Sequence, residues 1–187
     1  MIISIGGVQG SGKSTIAQRL SDALGWPRYY MGGLRRETAR KRGLTLAEYN
    51  KLGEVDPSTD LEVDRYQEEL GKTQDNFVIE GRTSWHFIPQ SLKIYLDADE
   101  RVGAERIFKE LQLQNNRNED NDLSSFDKVL TSVKNRFNSD KLRYQKYFGI
   151  NVYDKNNYDF CLDTTNLSQD EVFAKVYDFI RSHIDKA

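Results

Sequence analysis

The 187-residue chain predicts an α/β fold, a three-layer sandwich around a five-stranded parallel sheet, on three observations. Short apolar segments alternate with helical stretches, the pattern of a sheet covered on both faces. A glycine-rich loop sits between the first apolar segment and the first helical one. Helix-start signals recur at the spacing such a fold needs.

The elements follow in order. Ile2–Gly6 reads as a buried strand, and after the glycine loop a helix spans about Lys13–Leu24, stopped by Gly25-Trp26-Pro27. Arg28–Met31 is a second short strand. The stretch 32–71 is polar and helical, with a capping box at Thr45-Leu46-Ala47-Glu48 and a further start at Asp56-Pro57, where proline takes the first helical position. Phe77–Glu80 is a buried strand ending in a carboxylate, and Leu92–Leu96 is the fourth strand, followed by a helix to about Leu113. Gln112–Leu123, rich in Asn, Gln and Asp, is expected to be a mobile loop. Ser124-Ser125-Phe126-Asp127 caps a long helix reaching Phe148, Tyr158–Leu162 is the last strand, and Ser168-Gln169-Asp170-Glu171 is a capping box for the final helix.

Length suits one domain. Within it, 32–71 is expected to form an acceptor-binding helical segment and 106–145 a lid-like one. Lys plus Arg is 27 against 29 for Asp plus Glu, a net charge of −2, which argues against nucleic acid as the main partner. One cysteine, Cys161, allows no internal disulfide and fits a reducing compartment. The chain opens on a strand-like segment without a basic leader, and it contains no long apolar run, so neither a signal peptide nor a membrane span is expected. The expectation is a cytoplasmic monomer that touches neither membrane nor nucleic acid.

Gly7-Val8-Gln9-Gly10-Ser11-Gly12-Lys13-Ser14 fits G-x-x-x-x-G-K-[ST] between an apolar strand and a helix. Backbone N–H groups curled by Gly7, Gly10 and Gly12, with those of Ser11 and Thr15 and the dipole of the following helix, make an anion cradle. Lys13 reaches the outer phosphates of ATP, and Ser14 offers a hard oxygen to Mg²⁺. Glu80, at a strand end, either orients waters on that metal or caps its loop; Asp97 competes for the metal role or caps the next helix. The motif identifies a nucleotide, not a reaction. Asn50-Lys51-Leu52-Gly53 lacks the aspartate of guanine-specific switches.

An anionic acceptor needs cations opposite the loop, and arginine binds phosphate oxygens in pairs. Arg35 and Arg36 follow the second strand and Arg82 the third, with Arg35 read either as a second phosphate ligand or as solvated. Arg136, Asp140 and Arg143 are spaced four and three apart on one helix face, read either as a ligand row or as a salt-bridged surface. A stripe of Val129, Val133, Phe137, Tyr144 and Phe148 packs the same helix. Arg101 and Arg106 are lid candidates beside a solvated default, as is Arg117. Asp56, Asp60 and Asp64 are read as a polar face, Cys161 as packing, Tyr29-Tyr30 as packing, and His86 and His183 as without catalytic partners.

Across these segments the chain resembles the cytidylate kinase family, most closely its short archaeal-type members that lack a large nucleotide-binding insert. The resemblance runs through Gly7–Thr15, Gly32–Leu44, Asp56–Asp64, Glu80-Gly81-Arg82, Leu92–Asp97, Arg136–Gly149 and Tyr158–Asp163. It implies a P-loop nucleoside monophosphate kinase fold and transfer of the ATP γ-phosphate to CMP or dCMP. Arg36 and Arg82 would bind the monophosphate, and Arg136, Asp140 and Arg143 its phosphate, sugar and cytosine. Lys13, Arg82, Arg136 and Arg143 would act on the transferring group. The sequence departs from the family at Arg35, where an aromatic is usual, at Phe137-Asn138-Ser139 and Lys141, where further arginines are common, and in the acidic, Asn-rich stretch 115–122. The alternatives are a kinase for AMP, UMP or a small metabolite, a nucleic-acid-end kinase, and a nucleotide-binding regulator without catalysis.

Overall fold

In the computed structural model, residues 1–113 and 119–184 are described. Five parallel strands, β1 (Ile2–Gly7), β2 (Arg28–Tyr30), β3 (Phe77–Glu80), β4 (Leu92–Asp97) and β5 (Phe160–Asp163), lie in the order β2-β3-β1-β4-β5. Eight helices connect and cover them: α1 (Lys13–Leu24), α2 (Met31–Lys41), α3 (Leu46–Gly53), α4 (Ser58–Thr73), α5 (Ser84–Phe87), α6 (Glu100–Leu111), α7 (Phe126–Phe148) and α8 (Gln169–Ile184). Among the described residues no helix is long and apolar enough to cross a membrane.

The sheet is buried on both faces, which is why its central strands read as continuous apolar runs. Alternation divides them. Ile3 and Ile5 of β1, Val78 of β3 and Ile94 and Leu96 of β4 face α1 and α8, meeting Ile16, Leu20, Val172, Val176 and Ile180. Ile2, Phe77 and Ile79 face the other way, toward Met31, Val63, Leu70 and Ile88. A third cluster (Ala104, Ile107, Val129 and Val133) joins α6 to α7 beyond the sheet edge. After β1 the chain runs to β2 and β3 on one side and then to β4 and β5 on the other. That reversal opens a crevice at the carboxyl ends of the strands, where ligands of open α/β sheets bind.

Both expected capping boxes form. Thr45 Oγ1 accepts from Glu48 N while Glu48 accepts from Thr45 N, and Ser168 and Glu171 do the same. Several boundaries differ. Pro57 precedes rather than begins α4, and Asp56 accepts from Ser58 N at 2.9 Å. β5 starts at Phe160, because Tyr158 leaves the ladder to lie across Gly6. Cys161, expected in packing, is exposed on this edge strand. Asp97 does not cap α6: it pairs with Lys155 at 2.5 Å, and Asp99 takes the N–H groups of Arg101 and Val102. Asp60 and Asp64, read as part of a polar helix face, are buried because α4 turns them inward beneath α7.

Candidate active site

The loop after β1 is shaped by contact as much as by sequence. Gly7 and Gly10 have φ of 135° and 71°, and a Cβ on either would run into the Leu96 carbonyl or Gly103 backbone. Only glycine combines that backbone with that proximity. Ser11 Oγ donates to Val8 O at 2.9 Å and Thr164 Oγ1 to Ser11 O at 3.2 Å. Lys13 lies along the loop, donating to Val8 O and, at 3.3 Å, to Ser11 Oγ. No side chain caps the α1 N-terminus, so its N–H groups stay directed at the loop.

A cleft of about 910 Å³ opens over this loop, at the upper end of the usual small-molecule range. The P-loop residues Gly10–Thr15 floor it, and its walls carry Arg36, Arg82, Arg106, Arg136 and Glu80. Their charges interact. Burial holds the Lys13 ammonium well below the usual lysine range, and Arg82 and Arg136 push it the same way against Glu80 and Asp140. Arg136 is lowered to about 10 by burial and by Arg82. Cations gathered this closely lower one another's proton affinity, and a polyanion would relieve that strain.

Arg36 and Arg136 already share a carboxylate. Glu119 Oε1 accepts from Arg36 Nη2 at 2.6 Å, and Oε2 from Arg136 Nη1 at 3.0 Å. Glu119, in the stretch expected to be a mobile loop, is a buried residue whose carbonyl also takes Ala47 N. Residues 114–118, including the lid candidate Arg117, lie outside the described residues.

Arg82 donates through Nε to the Tyr153 hydroxyl at 3.2 Å, and the same nitrogen forms an ion pair with Asp140 Oδ2 at 2.7 Å. Burial opposes its charge, but Asp140 and Tyr153 outweigh that and hold it firmly protonated. Asp140 is buried and yet kept below the usual carboxylate range by Arg82, Arg143 and Arg136.

The expected Arg136-Asp140-Arg143 row is divided by the packing of α7 on α3 and α4. Arg136 lines the cleft. Arg143 has an exposure of 0% and is clasped by Asp60 at 2.6 Å and Asp140 at 2.7 Å. Arg35 is neither solvated nor in the cleft wall: it pairs with Asp60 at 2.5 Å and donates to Asn50 Oδ1 at 2.9 Å and Thr59 O at 3.1 Å. Arg143, Asp60 and Arg35 form a buried strut joining α7, α4 and α2 behind the wall.

Arg106 is drawn into the donor side. It donates to Gly10 O at 3.3 Å and to Thr164 O at 2.7 Å, stapling α6 to the P-loop and to the turn after β5. Arg101 points outward over the Phe126 ring, beside Glu105 at 3.6 Å. Glu80 accepts from Arg28 at 2.5 Å through Oε1, while its buried Oε2 has no hydrogen-bond partner among the described residues. Sequence reasoning missed Gln9, Glu119 and Tyr153. Only Gln9 lies within a motif, and at a position the motif leaves unspecified.

Comparison with known proteins places this geometry. The profile of the cytidylate kinase-like family matches residues 2–166. A cytidylate kinase of Pyrococcus furiosus is 35% identical over 186 residues, covering 99% of this chain and 90% of that protein. One of Natronomonas pharaonis is 35% identical over 185 residues, covering 98% and 91%. Among solved structures, an uncharacterized protein from Eubacterium ventriosum superposes with a TM-score of 0.71 at 18% identity, covering 97% of this chain and 99% of that one. The shikimate kinase of Bacteroides thetaiotaomicron gives 0.63 at 13%, covering 99% and 98%. At these identities the structures speak to the fold, which they share.

Proposed function

The chain belongs to the cytidylate kinase-like family and is a phosphotransferase, and from that premise we propose that it transfers the γ-phosphate of ATP to CMP or dCMP. The observation that carries this reading is the convergence of Arg36, Arg82 and Arg136 on one cleft with Lys13 and the P-loop. A neutral acceptor would not need three arginines opposite a triphosphate; a monophosphate does, because two anions must approach in line.

In this account the P-loop amides and Lys13 hold the donor phosphates. Arg36 and Arg82 grip the acceptor phosphate, and Arg136 stands between the two, where charge accumulates in the transfer. The attacking oxygen belongs to an anionic phosphate, so no side chain need remove its proton. Mg²⁺ fits the residues present. The Ser14 hydroxyl and the unpartnered Glu80 Oε2 supply hard oxygens in the same cleft, and a metal held there would neutralise phosphate charge. The buried strut of Arg35, Asp60 and Arg143 positions Asp140, and Asp140 in turn orients Arg82. Cytosine as the base rests on the family, and the acceptor-binding helices 32–71 are the segment that would read it.

A coupled assay of ADP release with ATP, Mg²⁺ and a panel of CMP, dCMP, UMP, AMP and small alcohols tests this. Turnover confined to CMP and dCMP is expected. Failure with every monophosphate would overturn the proposal, and selective turnover of AMP, UMP or an alcohol would replace the acceptor.

A further inference from the structure

Tyr153 lies in the turn after α7, outside every motif in the sequence, yet its hydroxyl sits where α7, the loop after β3 and the P-loop meet. It donates to Asp140 Oδ2 at 3.0 Å and accepts from Arg82 Nε at 3.2 Å and from Gln9 Nε2 at 3.3 Å. A phenol has one proton and two lone pairs, so all three are used. Gln9 is a buried P-loop residue, Arg82 belongs to the loop after β3, and Asp140 is on α7. Gln9 Nε2 also reaches Asp140 Oδ2 at 3.4 Å, closing the network.

The hydroxyl is held in place from all sides. The Tyr153 ring stacks on Phe137 with centroids 4.2 Å apart and planes at 20°. The preceding residue, Val152, is buried, and its carbonyl accepts from the Tyr158 hydroxyl at 3.0 Å. Tyr158 packs over Gly6 of β1, so the turn is anchored to the strand that carries the P-loop. Tyr153 N–H donates to Asn151 Oδ1 at 3.1 Å. Phe137 is thereby placed as well. It belongs to the apolar stripe on α7, and it is the ring against which the junction rests.

We infer that Tyr153 is a positioning residue, whose hydroxyl, through Gln9 and Arg82, fixes the donor loop and the acceptor arginine at one spacing. The inference rests on the proposed phosphoryl transfer for its kinetic consequence, but the junction itself is a matter of geometry. Reacting atoms must be held at near-attack separation, and a displacement of about 1 Å can cost about a hundredfold in rate. The P-loop and the Arg82 loop follow different strands, β1 and β3, and the Tyr153 hydroxyl spans from Gln9 of the one to Arg82 of the other. A tyrosine that merely filled space would contribute through its ring and not through its oxygen.

Tyr153→Phe keeps the ring and removes the oxygen. With the wild-type rate on CMP as reference, kcat is expected to fall about ten- to a hundredfold, with KM for ATP changing less than about twofold. Gln9→Ala should fall in the same direction, and the double variant should be no slower than the slower single one, because both break one junction. An unchanged kcat in Tyr153→Phe, or effects of the two changes that multiply independently, would overturn the inference. An inactive wild type would instead speak against the proposed function. The junction then still answers to NMR of the Arg82 Nε–H. In the wild type it should exchange slowly with solvent, and in Tyr153→Phe it should shift and exchange faster. The same signal unmoved in the variant would overturn the inference irrespective of turnover.

Discussion

Arg136 and Arg143 stand two helical turns apart on α7, and replacing each should produce opposite kinds of damage. Arg143 is wholly buried and holds Asp60 and Asp140 together. Arg143→Met fills most of the volume and leaves both carboxylates short of a cation. Removing one partner of a buried ion pair costs roughly 3–5 kcal/mol. Asp60 keeps Arg35 and Asp140 keeps Arg82, which points to the lower end, about 3 kcal/mol. A chain of 187 residues unfolds with an entropy of roughly 0.4 kcal/mol/K, so the midpoint of thermal unfolding should drop by about 8 °C. Among the described residues Arg136 has one ion pair, with Glu119, at a side-chain exposure of 17%. Arg136→Ala should lower the midpoint by only about 2–3 °C, the equivalent of roughly 1 kcal/mol. Its turnover should fall about a thousandfold if its guanidinium meets the transferring phosphoryl. Calorimetry and steady-state rates on both variants decide the matter. An unfolding midpoint unchanged in Arg143→Met, with acceptor KM raised, would refute the strut and return Arg143 to direct ligand contact. A wild-type rate in Arg136→Ala would remove it from the chemistry.

Two further outcomes follow from the buried charges. Burial and the neighbouring Asp60 push the Asp64 carboxyl up to about 7. The folded state therefore binds a proton that the unfolded chain releases near its ordinary 3.8, and stability should decline as pH rises from about 4 through 7, by on the order of 4 kcal/mol. Urea titrations at pH 5 and pH 8 should show that decline in the wild type and a flatter profile in Asp64→Asn; equal slopes would contradict it. Glu119 occupies Arg36, which the acceptor phosphate would use, together with Arg136, so Glu119→Gln should lower the acceptor KM by about three- to tenfold, the equivalent of roughly 1 kcal/mol. A raised KM would mean that Glu119 supports the acceptor rather than competing with it.

What the sequence discloses is what is local. The P-loop, the strand ends at Glu80 and Asp97 and both capping boxes rest on residues within a few positions of one another, and the structure forms them where expected. The division of the α7 row does not follow from spacing. Whether Arg143 meets solvent or Asp60 depends on how α4 docks against α7, a pairing 83 residues apart in the chain. Arg35 was misplaced for the same reason, its partner Asp60 lying 25 residues on. Cys161 was read as packing because its strand is apolar, but β5 is the sheet edge, and strand order is not written in any one segment. Tyr153 carries no motif at all; an aromatic in a turn gives no sign that its hydroxyl closes a network across 144 residues to Gln9.

Transfer of label from [γ-³²P]ATP in the presence of CMP follows the phosphoryl group itself from donor to acceptor. Label should appear in CDP in step with ADP, with little released as inorganic phosphate. Label found only in inorganic phosphate, or left wholly in ATP, would contradict the proposed transfer.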